Sequence, residues 1–185
     1  MNELILPCDD VTHLRAGDIV TVSGVIYTAR DAAHKLMVEG IKKAAAAAAH
    51  HTNFNISNVI LPFDVNGQAV YYAGPTPARS GTAIGSCGPT TSARMDGFTA
   101  PLLERGLKVM IGKGTRSPEV VAAIAKHKAV YLSAVGGAAA LISGKIMSAE
   151  PVAYPHLGCE QILRLVVKGL EAVVSVDSEG NVFGQ

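Results

Sequence analysis

Apolar, β-rich runs alternate along this chain with helix-favouring stretches and polar breakers, and together they predict its elements. Ile19, Val20, Val22, Val25 and Ile26 form a β-rich run ending at Tyr27, with Gly24 marking a bulge. Before it, residues 1–16 predict an extended lead-in, followed by a turn through Arg15-Ala16-Gly17-Asp18. From Arg30 to about Ala49 the composition becomes helical and closes in an alanine run, Ala44 to Ala49. His50 to Ile56 is polar and reads as a loop. Val59 to Leu61 and Ala69 to Tyr72 predict strands around a turn at Asp64 to Gly67. The breaker cluster from Gly74 to Gly81 predicts a surface loop. After Gly97 a helix is expected through Leu102 and Leu103 to a stop at Gly106, then a short buried strand, Leu107 to Ile111. Ser117-Pro118-Glu119 is a strong helix start: a capping hydroxyl, a proline in the first turn, then an acid. That helix should reach Lys126 or His127.

Ala129 to Ser133 predicts another strand, and Gly136-Gly137 leads into a short apolar helix, Ala138 to Ile142. Lys145 to Glu150 and Gln161 to Val167 read as strands. Val173 to Val176 and Asn181 to Phe183 read as a closing hairpin around Asp177 to Gly180. Strands alternate with helices in the middle and β-rich pieces flank them. The pattern predicts a layered α/β domain with a mixed sheet, or two sheets, and helices on one side.

Two local signals carry candidate chemistry. Asp31 follows Thr28 by three residues, as in a capping box with Asp in place of Glu. The stretch Gly85 to Gly97 begins as a glycine-rich loop and is predicted to become a helix at Pro89. Thr90, Thr91 and Ser92 would then put three hydroxyls on the helix's opening turn, where free N–H groups and the helix dipole favour an anion. Arg94 would share the face of Thr90 and Thr91. The plain alternative is an ordinary loop-to-helix junction. Arg30 and His34 are four apart, so they project from one face of their helix. Taken alone, they are a solvated charge and a helix-surface histidine.

Composition narrows the function classes. The chain has 185 residues, 49% of them hydrophobic and 17% charged, enough for a real core and matching one domain over 1–185. Lys and Arg number 16 against 15 Asp and Glu, which gives no reason to expect nucleic acid or an anionic membrane as partner. No apolar run approaches 18 residues, so no membrane span is predicted, and the short acidic N-terminus does not read as a signal peptide. Cys8, Cys87 and Cys159 are widely spaced, with no C-x-x-C pair, which suits a reducing, cytoplasmic setting and not a disulfide scaffold or a cluster site.

Three segments carry a resemblance. Tyr-Thr-Ala-Arg-Asp-Ala-Ala-His-Lys (27–35), Gly-Pro-Thr-Thr-Ser-Ala-Arg-Met-Asp (88–96) and Met-Ile-Gly-Lys-Gly (110–114) resemble the β subunit, or C-terminal domain, of class I fumarases and tartrate dehydratases. Val-Gly-Gly-Ala-Ala-Ala-Leu (135–141) is similar to the same family. The resemblance implies a swivelling β/β/α domain and an iron–sulfur hydro-lyase that hydrates fumarate to L-malate or dehydrates a related hydroxy acid. It implies a [4Fe-4S] cluster bound by the partner rather than by this chain, and an iron–sulfur α subunit that completes the site. In the family's pattern Thr90 matches the catalytic base. Arg30, Thr91, Arg94 and Lys113 match groups that grip the dicarboxylate, and His34 matches a histidine that is catalytic or stands behind the site. No metal ligand is implied in this chain.

The residues make chemical sense of this. Two arginines and a lysine suit a C4 dicarboxylate, because arginine forks match carboxylates. Abstraction of a proton beside a carboxylate builds an enolate-like dianion that fixed cations stabilise. Threonine is a weak base and would need neighbouring cations to favour its alkoxide. Cys87, beside Gly-Pro-Thr-Thr, is expected to pack. Exposed apolar surface for the partner is expected too, through which a lone chain could self-associate. The alternatives are an L(+)-tartrate or other hydroxy-diacid dehydratase, and a non-catalytic anion-binding scaffold on the same fold.

Overall fold

A computed structural model describes residues 2–49, 61–134 and 139–184. Strand β1 (Asn2–Leu6) precedes β2 (Ile19–Thr28), helix α1 (Asp31–Ala49) and β3 (Ala69–Tyr71). A 3-10 turn, Ser92–Met95, runs into α2 (Asp96–Leu103), and β4 (Val109–Gly112), α3 (Pro118–His127) and β5 (Val130–Ala134) follow. The chain then forms α4 (Ala139–Ser143), β6 (Ile146–Ala153), a 3-10 segment Pro155–Glu160, and β7 (Ile162–Val176).

The strands form one seven-stranded sheet in the order β1-β2-β3-β4-β5-β7-β6, with β2 also paired to β7. β1 to β5 run parallel, and β7 runs antiparallel to β2, β5 and β6. Because β7 meets β5 at one end and β2 along most of its length, β2, β3, β4, β5 and β7 close a circuit of ladders. The architecture is therefore mixed α/β, as the alternation of elements predicts, but in a single sheet that curls on itself instead of two.

The strand period of two sorts side chains between two cores. On β4, Val109 and Ile111 enter the inner core with Leu4, Val22, Leu132 and Leu165, while Met110 enters the outer one. The outer core packs Ala33, Met37 and Ile41 of α1, Leu102 and Leu103 of α2, and Val120 and Ile124 of α3 against Tyr72, Tyr131 and Ile162. Three helices thus cover one face, while Ile142 of α4 joins the inner core. Such double coverage explains why all of β4 is buried and reads as a continuous apolar run.

Several sequence expectations hold in detail. The ladder irregularity lies beside Gly24, between Val22 and Gly24, with the extra residue on β7; at Gly24 a Cβ would lie 2.1 Å from the Leu6 carbonyl oxygen. Ser117 caps α3 by accepting from the Val120 N–H at 3.4 Å. Cys87 is buried in the inner core, where burial pushes its thiol up to about 12, and Tyr71 Oη donates to its carbonyl at 2.7 Å.

Others are corrected. The strands expected at Gln161–Val167 and Val173–Val176 are one strand, β7, which passes through Gly169 at φ +65° because the bulge opposite Gly24 absorbs that glycine. Thr28 does not cap α1. As the buried last residue of β2, its hydroxyl accepts from the Leu163 N–H at 2.9 Å and donates to the Gln161 carbonyl at 3.2 Å. The cap comes from the Glu160 carboxylate, which accepts from the Ala32 N–H at 3.0 Å. Leu61 lies outside any strand. The loop expected at His50–Ile56, the strand positions Val59 and Ile60, and the glycine pair Gly136-Gly137 lie outside the described residues.

The C-terminal turn is clipped to the first half of the chain by Asp177. Its carboxylate accepts from the N–H groups of Ala16 (3.2 Å), Glu179 (2.9 Å) and Asn181 (3.0 Å). Burial works against that charge, but the bonds from Asn181, Glu179 and Ala16 outweigh it and hold the carboxyl below its usual range. Asp177→Ala leaves these donors without their acceptor. It should cost about 2–3 kcal/mol in urea unfolding, with an unchanged m-value.

Candidate functional site

Parallel strands β2, β3 and β4 end on the same side of the sheet, and the predicted site residues follow those ends. Crevices outside the carboxyl ends of parallel strands are where α/β sheets bind ligands. Arg30 comes two residues after β2, and Lys113 directly follows β4. Thr90 and Thr91 are stitched between the extensions of β3 and β4. The Thr90 N–H donates to the Tyr72 carbonyl at 2.7 Å, the Lys113 N–H to the Thr90 carbonyl at 3.1 Å, and the Ser92 N–H to the Lys113 carbonyl at 2.9 Å. Bridges Ala73–Pro89 and Thr91–Lys113 complete the stitching.

This corrects the helix expected at Pro89. Helical geometry begins at Ser92, and Thr91 stands at the cap position without a side-chain capping bond. Pro89 to Thr91 are extended because their backbone groups are committed to the neighbouring strand ends. Thr90 and Thr91 therefore do not occupy a helix's opening turn, and no helix dipole acts at their hydroxyls to favour an anion. Arg94 still reaches Thr90: its Nη1 lies 3.4 Å from Thr90 Oγ1.

Side chains from the ends of these strands form a charged cluster. Arg94 grips Asp31 with Nε at 2.8 Å from Oδ1 and with Nη2 on Oδ2. That contact with Arg94 is the main reason the Asp31 carboxyl lies below its usual range, and it raises the Arg94 pKa in turn. Arg30 Nη2 pairs with Glu160 at 3.4 Å, and Arg30 Nε lies 3.9 Å from Asp31 Oδ2. Gly74 makes room for Arg30, since a Cβ there would stand 2.6 Å from Nη1. Thr91, Arg94 and Lys113 are exposed, and Thr90 and Arg30 are half-buried. Arg30, Thr90 and Arg94 are thus gathered around Asp31, and Lys113 joins them through the backbone of Thr90 to Ser92.

His34 lies beneath the cluster, not on the helix surface. It is wholly buried, edge-on to Tyr72 with ring centroids 5.3 Å apart. Its Nδ1 donates to the Arg30 carbonyl at 2.9 Å, which leaves the bare nitrogen at Nε2, a buried atom without a protein partner. Burial is the largest cause that pulls its pKa down to about 4, and nearby Arg116 adds to it. The ring is neutral near pH 7 and reaches the cluster only through the Arg30 backbone.

Arg116 and Asp96 escaped the sequence reading of the site. The Arg116 side chain is fully buried, with Nε 2.8 Å from Asp96 Oδ1, Nη1 3.2 Å from Tyr72 Oη and Nη2 2.6 Å from Thr99 Oγ1. The rings of Tyr72 and Tyr131 lie 5.4 and 5.2 Å from its guanidinium carbon. The other Asp96 oxygen accepts from the Ser117 N–H at 2.8 Å. Tyr131 Oη donates to the Gly114 carbonyl at 2.8 Å, so its contact with Ser92 at 2.9 Å has the serine hydroxyl donating. Gly112 permits this closeness, because a Cβ would lie 2.0 Å from Ser92 Oγ. The available signals were an arginine just past Gly-Lys-Gly and the aspartate that closes the second motif.

A cleft of about 660 Å³ opens between α3 and the C-terminal turn, lined by Arg116, Tyr131, Ser133, Ser175 and Phe183 among others, and by none of the six predicted site residues. Among the described residues, no three His, Cys, Asp or Glu side chains gather as metal ligands, and no helix is long and apolar enough to cross a membrane.

The Fumarase C-terminus family model matches residues 5–185. This chain belongs to that family. It is 36% identical over 168 residues to the protein named fumarate hydratase class I, aerobic, of Escherichia coli strain K12, across 90% of this chain and 28% of that relative. It is 30% identical over 182 residues to the L(+)-tartrate dehydratase subunit beta of Shigella boydii serotype 4, across 95% of this chain and 82% of that relative. The chain thus spans less than a third of the fumarate hydratases it matches. The resemblance drawn from the Arg-Asp-x-x-His and Gly-Pro-Thr-Thr segments is confirmed at the level of the family, and its named relatives are hydro-lyases.

The depressed His34 pKa makes the stability of the fold depend on pH. An unfolded histidine takes up a proton near pH 6.5 and the folded one near 4, so the stabilisation is complete above 6.5 and is lost as pH falls toward 4. Over that interval the wild type should lose up to about 3 kcal/mol more than His34→Asn in denaturant titrations, on the scale of about 1.4 kcal/mol per pKa unit. Parallel curves would show that His34 is not buried neutral.

Proposed function

We propose that this chain is the β part of a hydro-lyase acting on a C4 dicarboxylate, in the first place fumarate hydrated reversibly to L-malate. The observation that carries this reading is the convergence of Arg30, Thr90 and Arg94 around Asp31, with Lys113 tied alongside, outside the carboxyl ends of three adjacent parallel strands. Arg30, Arg94, Lys113 and Thr91 bind the two carboxylates, since guanidinium forks match carboxylates and an ammonium adds a point charge. Thr90 takes the proton from the carbon beside one carboxylate in dehydration and returns it in hydration. The adjacent Arg94 guanidinium favours the alkoxide this requires. The same cations stabilise the charge that builds on the substrate carboxylate as the proton leaves. His34 holds the Arg30 backbone from behind.

The residues of this chain do not fit an iron–sulfur cluster: Cys87 is buried, Cys8 half-buried, Cys159 exposed, and no ligand trio forms among the described residues. We therefore place the [4Fe-4S] cluster on an iron–sulfur α subunit. The apolar side chains exposed at Leu141, Met147 and Val152 offer surface for that partner. Within this reading residues 1–185 form one domain. Its inner core, outer core and one-sided helices suit a swivelling β/β/α arrangement.

One observation favours a second substrate, L(+)-tartrate: the chain covers 82% of a tartrate dehydratase β subunit but only 28% of a class I fumarate hydratase. Anaerobic reconstitution with the α subunit tests the reading. The pair should hydrate fumarate where this chain alone does not. Thr90→Ala should lower kcat about a hundredfold or more while the pair still assembles. Faster turnover of L(+)-tartrate would move the assignment to the second substrate. Turnover by the lone chain, or full activity of Thr90→Ala, would refute the shared site, the latter pointing to a scaffold.

A further inference from the structure

We infer that Asp31 and Glu160 are positioning residues, carboxylates of this chain that hold Arg94 and Arg30 in the orientation from which they meet a substrate. Each of the two arginines in the cluster already carries one carboxylate of its own chain. Asp31 takes the Nε and Nη2 edge of Arg94, and Glu160 meets Nη2 of Arg30 at 3.4 Å. The anchors are themselves fixed. Asp31 is the first residue of α1, and Glu160 bonds the Ala32 N–H at 3.0 Å, which docks the Pro155–Glu160 segment on the start of that helix.

The geometry at Arg94 is informative because a guanidinium has distinct edges. With Nε and Nη2 committed to Asp31, the remaining nitrogen, Nη1, is the one that faces Thr90 Oγ1 at 3.4 Å. An arginine on an exposed turn would otherwise sample many rotamers, and its side chain is 46% exposed. The Asp31 pair selects the orientation that sets a fixed positive group beside the threonine hydroxyl. At Arg30, Glu160 and the space left by Gly74 do the corresponding work.

The consequence for turnover rests on the proposed role of Thr90; the positioning itself does not. Arginine Nε–H exchange, followed by NMR on the full chain, reads the positioning without any partner. Assigned through Arg94→Lys, the Arg94 Nε–H should exchange about tenfold or more slowly than those of unpaired surface arginines, and Asp31→Ala should abolish the difference. Asp31→Glu, which keeps the charge at a helix start, should restore part of it. In the reconstituted pair, Asp31→Asn should lower kcat about tenfold or more and Asp31→Glu should recover part of the loss, because misplaced groups cost rate steeply. A merely structural aspartate would be replaced by asparagine without loss. Exchange at Arg94 as fast in the wild type as in Asp31→Ala would overturn the inference, and so would wild-type kcat in Asp31→Asn. If the wild-type pair shows no hydro-lyase turnover, the functional reading fails and the exchange measurement alone decides the positioning.

Discussion

A buried ion pair, Arg116 with Asp96, is the interaction on which the arrangement of the site depends. Desolvating a guanidinium is expensive, and attraction to a carboxylate offsets it only when the remaining donors are also satisfied. Here Asp96, Tyr72 and Thr99 each accept from a different one of the guanidinium's three nitrogens, and two tyrosine rings flank it. Burial alone would pull the arginine's pKa down, yet Tyr72 and Asp96 hold it charged. A pair of this kind is weak evidence for stability and better evidence for specification, since few alternative packings satisfy so many polar atoms at once.

What the pair specifies is the joining of two segments. Asp96 opens α2, directly after the turn that carries Arg94, and Arg116 ends the loop that begins at Lys113. Thr99 and Tyr72 bring α2 and the end of β3 into the same network, while Tyr131 links Ser92 to Gly114. The cations exposed above are therefore mounted on a buried polar layer, with His34 beside Tyr72 and close enough to Arg116 for its charge to be felt. The parallel strand ends set the place, and the polar layer sets the spacing.

Much of this was legible in the sequence. Apolar, β-rich runs marked β2, β4 and β5, and cap chemistry marked α3, because these elements are decided by local propensity and by burial. The residues at the strand ends were legible through the family resemblance of the segments that carry Arg30, Thr90, Arg94 and Lys113, not through their spacing alone. The helix at Pro89 was misread because proline and hydroxyls favour a helix start locally, while here long-range bridges to Tyr72 and Lys113 take the backbone groups. The Thr28 cap failed for the same reason: its hydroxyl serves β7, 135 residues away. Glu160 could not be recognised as the cap of α1 from spacing, since its partner lies 128 residues earlier. Arg116 looked like any loop arginine, and only the tertiary fold buries it.

The central claim, that Arg116 and Asp96 act as one unit fastening the Lys113 loop to the Thr90–Arg94 turn, is tested most directly by a double-mutant cycle. Arg116→Met, Asp96→Asn and the double variant would be compared by urea unfolding at pH 7. Arg116→Met alone should cost about 3 kcal/mol or more by leaving Asp96 unpaired, and the double variant should recover much of that, a coupling of about 2 kcal/mol. Additive losses, with coupling near zero, would contradict the account.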